Sequence, residues 1–341
     1  MFYLSVMKQI LFILKKRNIY SNDNYSNVDS GLYNSATFVN DMLVKNNINS
    51  TLVQVNDNNE IDKYCSIHKP DIVIIEAIWV VPSKFEILKK LHPNITWIIR
   101  LHSELPFLAN EGVAITWLKE YVKYENVFIG ANSIYLIEAL SPYLESNILY
   151  LPNYYNITDK ENIIEQKCES VVRIGIFGAI RPMKNTLTQA IAAINYANMT
   201  NKKLMLHVNS ARVEQKGENV LKNLRALFVD SEHELIEHGW LKRGDFIKLV
   251  RTMDICLQVS LTETYNIVAG DVINQEVPVV TSNEISFVNY FSTVKSNKNV
   301  NSMIRAIKFN LRFKNILTKI NKFLLLLNSK RAEMIWIKFL N

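Results

Sequence analysis

The sequence predicts an α/β protein made of two Rossmann-like domains with parallel sheets, and three observations carry that expectation. Short continuous apolar runs alternate with segments of helical apolar spacing, as βα units require. The alternation lapses once, from Asn153 to Val171, where charge and Asn replace the apolar period, and then it restarts. A chain of 341 residues that is 48% hydrophobic exceeds one ordinary core and suits two domains of about 150 residues each.

In the first half the strand-like runs are Ile10 to Leu14, Thr51 to Val55, Asp71 to Ile75, Trp97 to Leu101, Val127 to Ile129 and Ile148 to Leu151. Between the first two, Ala36, Val39, Met42 and Leu43 recur at helical spacing. These runs place a Rossmann-like domain over residues 7–152, with Met7 as an alternative start, and a linker over residues 153–171. The opening apolar run is broken by Lys8 and Gln9, and no small-residue cleavage site follows, so a buried first strand is expected there rather than a signal peptide.

The second domain is expected over residues 172–318. It opens on the strand Val172 to Phe177, followed by a helix with Leu187, Ile191, Ile194 and Ala197 on one stripe. Leu204 to Val208 is a further strand, and Val220, Leu221, Leu224 and Leu227 mark a helix. Asp254 to Val259 and Val277 to Thr281 are strands that flank a helix running from Ile267 to Gln275. From Met303 onward, Ile304, Ile307, Leu311, Ile320, Phe323, Leu324 and Leu327 recur at helical spacing, with Arg305, Lys308, Arg312 and Lys319 between them. That pattern predicts basic amphipathic helices, the last of them over residues 319–341.

The net charge of +7 is unevenly placed. Residues 301–341 hold nine Lys or Arg and a single acid, Glu333, so the body is neutral and the tail basic. Cys65, Cys168 and Cys256 are an odd, scattered set without a CxxC pair, which fits free thiols in a reducing, cytoplasmic compartment. No run of about 18 apolar residues occurs, so no membrane-spanning helix is expected.

Two loops carry the chemistry. At Gly178 a buried strand ends in GAIRPMKN, where small Gly178 and Ala179 let the backbone approach a ligand and Arg181 and Lys184 sit in the turn before a helix. Cations beside a helix N-terminus suit a phosphate; a solvated βα loop with surface charges is the plainer reading. The second loop, SLTETYN, leads from the Asp254 strand into the helix IVAGDVINQ. It offers Glu263, several hydroxyls and free backbone N–H groups at the helix start, and Asp271 follows one turn in. A carboxylate for sugar hydroxyls, amides for phosphate and an acid for a ribose can converge there; an N-cap and a helical Asp favoured by the macrodipole is the plainer reading. In the first domain, His102 lies just beyond the strand Trp97 to Leu101, at the carboxyl end where open α/β sheets bind ligands; a hydrogen-bonded structural His is the plainer reading.

Other chemistries fail on spacing. His233 and His238 are five apart, about 140° around a helix, and miss the HExxH zinc face. Cys65 with His68 is half a metal site. No Asp-x-Asp, GxSxG, GxxxxGK[ST] or GxGxxG occurs.

The stretch from Ser260 to Val280 resembles the donor-site signature of the GT-B retaining glycosyltransferases of the glycogen-synthase and sucrose-synthase-like type (family 4): Glu, seven residues, Glu, then a strand that often reads GVPVV. Here Glu263 is followed after seven residues by Asp271, and then by Glu276, Val277, Pro278, Val279 and Val280. The family's phosphate loop is matched by Gly178 and Lys184, with Ala179 at the family's Arg position and Arg181 two residues on. The resemblance implies a GT-B fold, with two Rossmann-like domains facing a central cleft and a C-terminal helix crossing back to the N-terminal domain. It implies transfer of a hexose from a nucleotide-diphosphate sugar such as a UDP-sugar to an acceptor hydroxyl, with retention and without a metal or other cofactor. Glu263 would bind the donor hexose, Asp271 the ribose, and Arg181 with Lys184 the diphosphate, joined by the amides of Asn266, Ile267 and Val268. His102 would stand beside the donor sugar, with Gly31, Arg100, Ser103 and Glu104 toward the acceptor, which the resemblance leaves open as glycan, lipid, protein or nucleic acid. For the basic tail three readings stand: a structural crossing helix, an anionic membrane surface, or nucleic acid, the last two as in a non-catalytic GT-B binding protein or, for nucleic acid, a DNA-modifying glycosyltransferase. A phosphorylase of the same fold would need a pyridoxal-phosphate lysine, and no residue marks one.

Overall fold

A computed structural model describes residues 8–16, 30–159 and 168–340. Met7 and residues 160–167 of the expected linker lie outside the described residues. The chain divides into two compact units, one ending at Asn156 and resumed from Ser329, the other spanning Ile157–Asn328.

In the first unit the elements are β1 (Ile10–Lys15), α1 (Gly31–Lys45), β2 (Ser50–Val55), α2 (Glu60–His68), β3 (Ile72–Glu76), α3 (Lys84–Leu91), β4 (Thr96–Leu101), α4 (Leu105–Leu108), α5 (Ala114–Tyr121), β5 (Val127–Ala131), α6 (Ile134–Leu144) and β6 (Leu149–Tyr150). The strands form one parallel sheet in the order β2-β1-β3-β4-β5-β6. Its two faces are both buried. Val73, Ile75, Trp97 and Ile99 pack with Phe85 and Tyr121 on one side, while Ile10, Phe12, Ile74 and Ile98 pack with Val39 and Leu43 on the other. Burial on both faces is why these strands read as continuous apolar runs.

The first unit ends later than residue 152. Asn153 and Tyr155 are buried, and Tyr155 meets Phe38 edge-on at 5.2 Å. The chain's last helical turns also belong to this unit: Trp336 packs against Phe12 and its indole N–H donates to the Pro152 carbonyl at 2.8 Å.

In the second unit the elements are β7 (Val171–Ile176), α7 (Thr186–Met199), β8 (Lys203–Asn209), α8 (Gly217–Ala226), β9 (Glu234–His238), α9 (Arg243–Arg251), β10 (Ile255–Gln258), α10 (Ile267–Asn274), β11 (Val279–Ser282), β12 (Thr293–Val294), α11 (Val300–Arg312) and the start of α12 (Lys314–Leu340). They build a parallel sheet in the order β12-β11-β10-β7-β8-β9. Among the described residues no helix is long and apolar enough to cross a membrane.

Residues 234–238 form a strand that is not among the expected ones, the edge strand β9: Leu235 and Ile236 are partly covered, while Glu234 and Glu237 are exposed. Two expectations need correction. Of the stripe expected on α7, Ala197 is buried and Leu187, Ile191 and Ile194 are half-buried; Ala190 and Ala193 are buried as well, because small side chains bring the helix close to its neighbours. In α12 the buried positions before residue 329 are Leu317, Thr318, Asn321 and Leu325, whereas Ile320, Phe323 and Leu327 face water.

Candidate functional site

The second unit's sheet has its topological switch between β7 and β10. From β7 the chain builds outward through β8 and β9, then returns to build β10, β11 and β12 on the other side. Open α/β sheets bind ligands at the carboxyl ends of strands at such a point. Both loops selected from the sequence leave the sheet there.

The loop after β7 begins with Gly178 at φ +117°, a conformation in which an L side chain is strained. Its N–H donates to Asn209 Oδ1 at 3.1 Å. A single 3-10 turn, Pro182–Lys184, follows, and Asn185 then ties the loop down by donating through Nδ2 to the carbonyls of Val259 and Asn297, at 3.1 and 2.7 Å. The loop after β10 is joined to the first by the Leu261 N–H, which donates to the Met183 carbonyl at 2.9 Å. Asn266 is the N-cap of α10: Oδ1 accepts from the Ala269 N–H at 2.9 Å, and Nδ2 donates to Gln258 Oε1 at 2.9 Å. The Ile267 and Val268 amides belong to the first helical turn, which has no intrahelical acceptors.

These ties bring Lys184 and Glu263 into direct ion-paired contact. Glu263 Oε1 also accepts from Ser260 Oγ at 2.8 Å and from Asn266 Nδ2 at 3.3 Å. Burial, opposed by Glu263 and reinforced by Arg181 and Arg212, holds the Lys184 ammonium below the usual lysine range. Arg181 lies 3.6 Å from Glu214, which also takes Arg212 through Nε at 2.7 Å. Arg212 in turn covers the Trp240 ring at 5.0 Å. Asp271 is 2% exposed and accepts from Arg243 Nη2 at 2.6 Å through Oδ1, so Arg243 already holds one of its two oxygens.

In the first unit, His102 follows β4 and is bound through Nε2 by the fully buried Glu76, the last residue of β3. Burial alone would raise the Glu76 carboxyl; Arg100 and His102 outweigh it and hold it below the usual carboxylate range. Burial, opposed by Glu76 and aided by Arg100, lowers His102 from its ordinary value. Ala77, directly after Glu76, sits at φ +71° with its N–H on the Arg100 carbonyl at 2.9 Å. Such a backbone costs an Ala about 1 kcal/mol and is held by its surroundings.

Arg100 does not face an acceptor. It is fully buried and donates to both Glu76 oxygens, to the Leu151 and Pro152 carbonyls at 3.0 Å each, and to Asn153 Oδ1 at 2.6 Å. Ser103 and Glu104 follow His102 in partly open positions, and burial raises the Glu104 carboxyl against a hydrogen bond from Ser133. Gly31 starts α1 behind the Ser30 N-cap, with open space where a Cβ would stand.

Sequence reasoning missed Glu76, Arg212 and Arg243. Only Glu76 left a signal, as the one charged residue ending the apolar strand IVIIE.

No protein-family model matches the chain, and no curated protein matches its sequence. Solved structures do match in fold. The sucrose-phosphate synthase of Thermosynechococcus elongatus superposes with a TM-score of 0.71 at 11% identity, over 97% of this chain and 98% of that one. The HepE protein of Anabaena, solved with UDP and glucose, gives 0.63 at 12% identity over 97% and 98%. A trehalose-6-phosphate synthase, studied for glycosyl transfer with retention, gives 0.69 at 12% identity over 97% and 98%. The fold is thus that of the GT-B glycosyltransferases.

Proposed function

We propose that the protein is a glycosyltransferase that moves a hexose from a UDP-sugar or related nucleotide-diphosphate sugar to an acceptor hydroxyl, with retention at the anomeric carbon. The observation that carries this reading is the contact of Lys184 with Glu263 at the switch between β7 and β10. A cation for a diphosphate and a carboxylate for sugar hydroxyls lie side by side, as the junction between the two halves of such a donor requires.

As the anomeric C–O bond to the diphosphate breaks, negative charge grows on the leaving phosphate oxygen. Lys184, Arg181 and the amides of Ile267 and Val268 are the groups that would stabilise it, the kind of preorganised electrostatics that dominates such steps. The acceptor proton passes to a donor phosphate oxygen on the face from which the leaving group departs, the new C–O bond forms on that face, and configuration is retained. The trehalose-6-phosphate synthase neighbour supports retention by analogy, and the UDP in the HepE structure supports the donor class. Because cationic side chains and helix amides meet the diphosphate charge, the reaction is assigned no metal, and turnover is expected to survive EDTA. In the first unit, His102 held by Glu76 is the group assigned to the sugar, and Gly31, Ser103 and Glu104 are assigned to the acceptor side. The three free cysteines support a cytoplasmic setting.

The test is hydrolysis and transfer from a panel of sugar nucleotides, with Lys184→Ala and Glu263→Ala compared with the unmodified protein. Each change should lower turnover by about 10²–10³-fold, the usual loss of a transition-state charge partner, while the melting temperature shows the fold intact. Unchanged turnover of every active donor in both variants would remove the assignment.

A further inference from the structure

α12 is apolar on two opposite sides. At about 100° per residue, Ile316, Ile320, Phe323 and Leu327 fall within an arc of about 60°, on the side away from the buried Leu317, Asn321 and Leu325. They are 60, 40, 58 and 47% exposed. The polar side chains of Thr318 and Asn321 on the inner face are satisfied there: Thr318 Oγ1 donates to the Lys314 carbonyl at 2.7 Å, Asn321 Oδ1 accepts from the Asn289 N–H at 2.9 Å, and Asn321 Nδ2 donates to Ser292 Oγ at 3.2 Å. The helix therefore buries an asparagine and leaves Phe323 in water, the reverse of an ordinary surface helix.

The outer row continues into aromatic rings of the same unit. Phe313 and Phe309 lie 4.7 Å apart, Phe309 and Phe291 5.4 Å apart, and Phe291 and Tyr290 are 58 and 65% exposed. Cations border these rings, with Arg312 over Phe313 at 5.5 Å and Lys295 over Tyr290 at 5.6 Å. From Tyr290 to Leu327 the chain holds eight Lys or Arg and no Asp or Glu.

A contiguous apolar face of this kind marks an interaction site, and its charge selects the partner. Lys322 is paired with Glu276 at 3.0 Å, and a second copy docked on this face would set the remaining cations against cations, with no acid between residues 290 and 327. Nucleic acid would satisfy the cations but leave Phe323 and the isoleucines in water. An anionic bilayer answers both features, because amphipathic helices with aromatic and aliphatic side chains enter the headgroup boundary while Lys and Arg contact lipid phosphates.

We propose that this face of the second unit is a docking surface for anionic phospholipid membranes, with Ile316, Ile320, Phe323 and Leu327 inserted and Lys295, Arg312 and Lys319 on the headgroups. The proposal is independent of the reading of the donor loops.

Co-sedimentation of the full chain with vesicles tests it, using pure phosphatidylcholine and a mixture containing phosphatidylglycerol. Binding should favour the mixed vesicles and weaken as salt is raised. Each basic residue near an anionic surface contributes about fivefold in partition, so Lys295→Gln/Lys319→Gln should bind about twenty-five-fold more weakly. Ile316→Ser/Phe323→Ser should lose about tenfold or more, through the apolar area withdrawn. Sugar-nucleotide hydrolysis without vesicles should be unchanged in both. Should the apolar variant fail to fold, the lysine variant still decides. The proposal is overturned by absence of vesicle binding, by equal binding to both vesicle types, by a dimer that the apolar changes dissolve, or by duplex-DNA binding that the lysine changes abolish while vesicle binding stays untouched.

Discussion

The His207 and His238 pair allows a pH prediction with a worked magnitude. The two rings stack with centroids 5.2 Å apart, and Nδ1 of His207 lies 2.9 Å from Nε2 of His238. One nitrogen must donate and the other accept, so the pair cannot carry two protons without repulsion across that contact. Burial first, then His238, then Arg173 push His207 from its ordinary 6.5 down to about 4. A folded value below the unfolded one means stability that is present above pH 6.5 and lost as pH falls toward 4. The whole drop corresponds to about 3 kcal/mol, of which about 2 kcal/mol is gone by pH 5. His207→Asn keeps a side chain that can bond to His238 and removes the titration. In urea unfolding, the stability difference between the unmodified protein and this variant should therefore shift by about 2 kcal/mol between pH 7.5 and 5, and the His207 ring protons should not titrate above pH 5. A difference that stays constant across that window, or an NMR midpoint near 6.5, would refute the reasoning.

Three further outcomes follow from the same kind of argument. Arg100→Met strands the buried Glu76 carboxylate and three backbone or side-chain acceptors, and should cost about 3–5 kcal/mol in urea unfolding; adding Glu76→Met should recover much of it. Gly178→Ala forces a Cβ onto a backbone at φ +117° and should cost about 1–3 kcal/mol, with a smaller thermal shift on adding the sugar nucleotide. Glu76→Gln removes the partner that raises His102, so the His102 titration should move lower and the acid limb of the rate profile with it; an unmoved profile would show that Glu76 does not position His102.

Much of the fold was legible because the first sheet is covered on both faces and β10 and β11 of the second are buried throughout, so the central strands are apolar runs and their helices keep the 3.6-residue period. What failed had a physical cause. β9 is an edge strand whose charged residues blur the two-residue period, and ELIEH suits a helix equally well. Alanine carries little hydrophobic signal, so the stripe that α7 buries was hidden behind the larger Leu187 and Ile191. α12 has apolar residues on both sides, and spacing alone does not say which row meets the core.

The candidate site divides in the same way. Gly178, Lys184 and Glu263 could be selected as residue types at strand ends, but their meeting depends on β7 and β10 being neighbours, which no local pattern records. Arg100 shows the limit most clearly. A charge inside WIIRL reads as a residue facing a ligand, yet the register that sets Glu76 beside Arg100, and the return of Leu151 to Asn153 past the same point, supply five acceptors and bury it completely. Glu76 is shared: one carboxylate answers Arg100 from within the sheet and His102 at its edge. The guanidinium that closes the first unit around its last residues therefore also fixes the charge and position of the group that orients His102, and any substitution at Arg100 should register in the His102 titration as well as in stability.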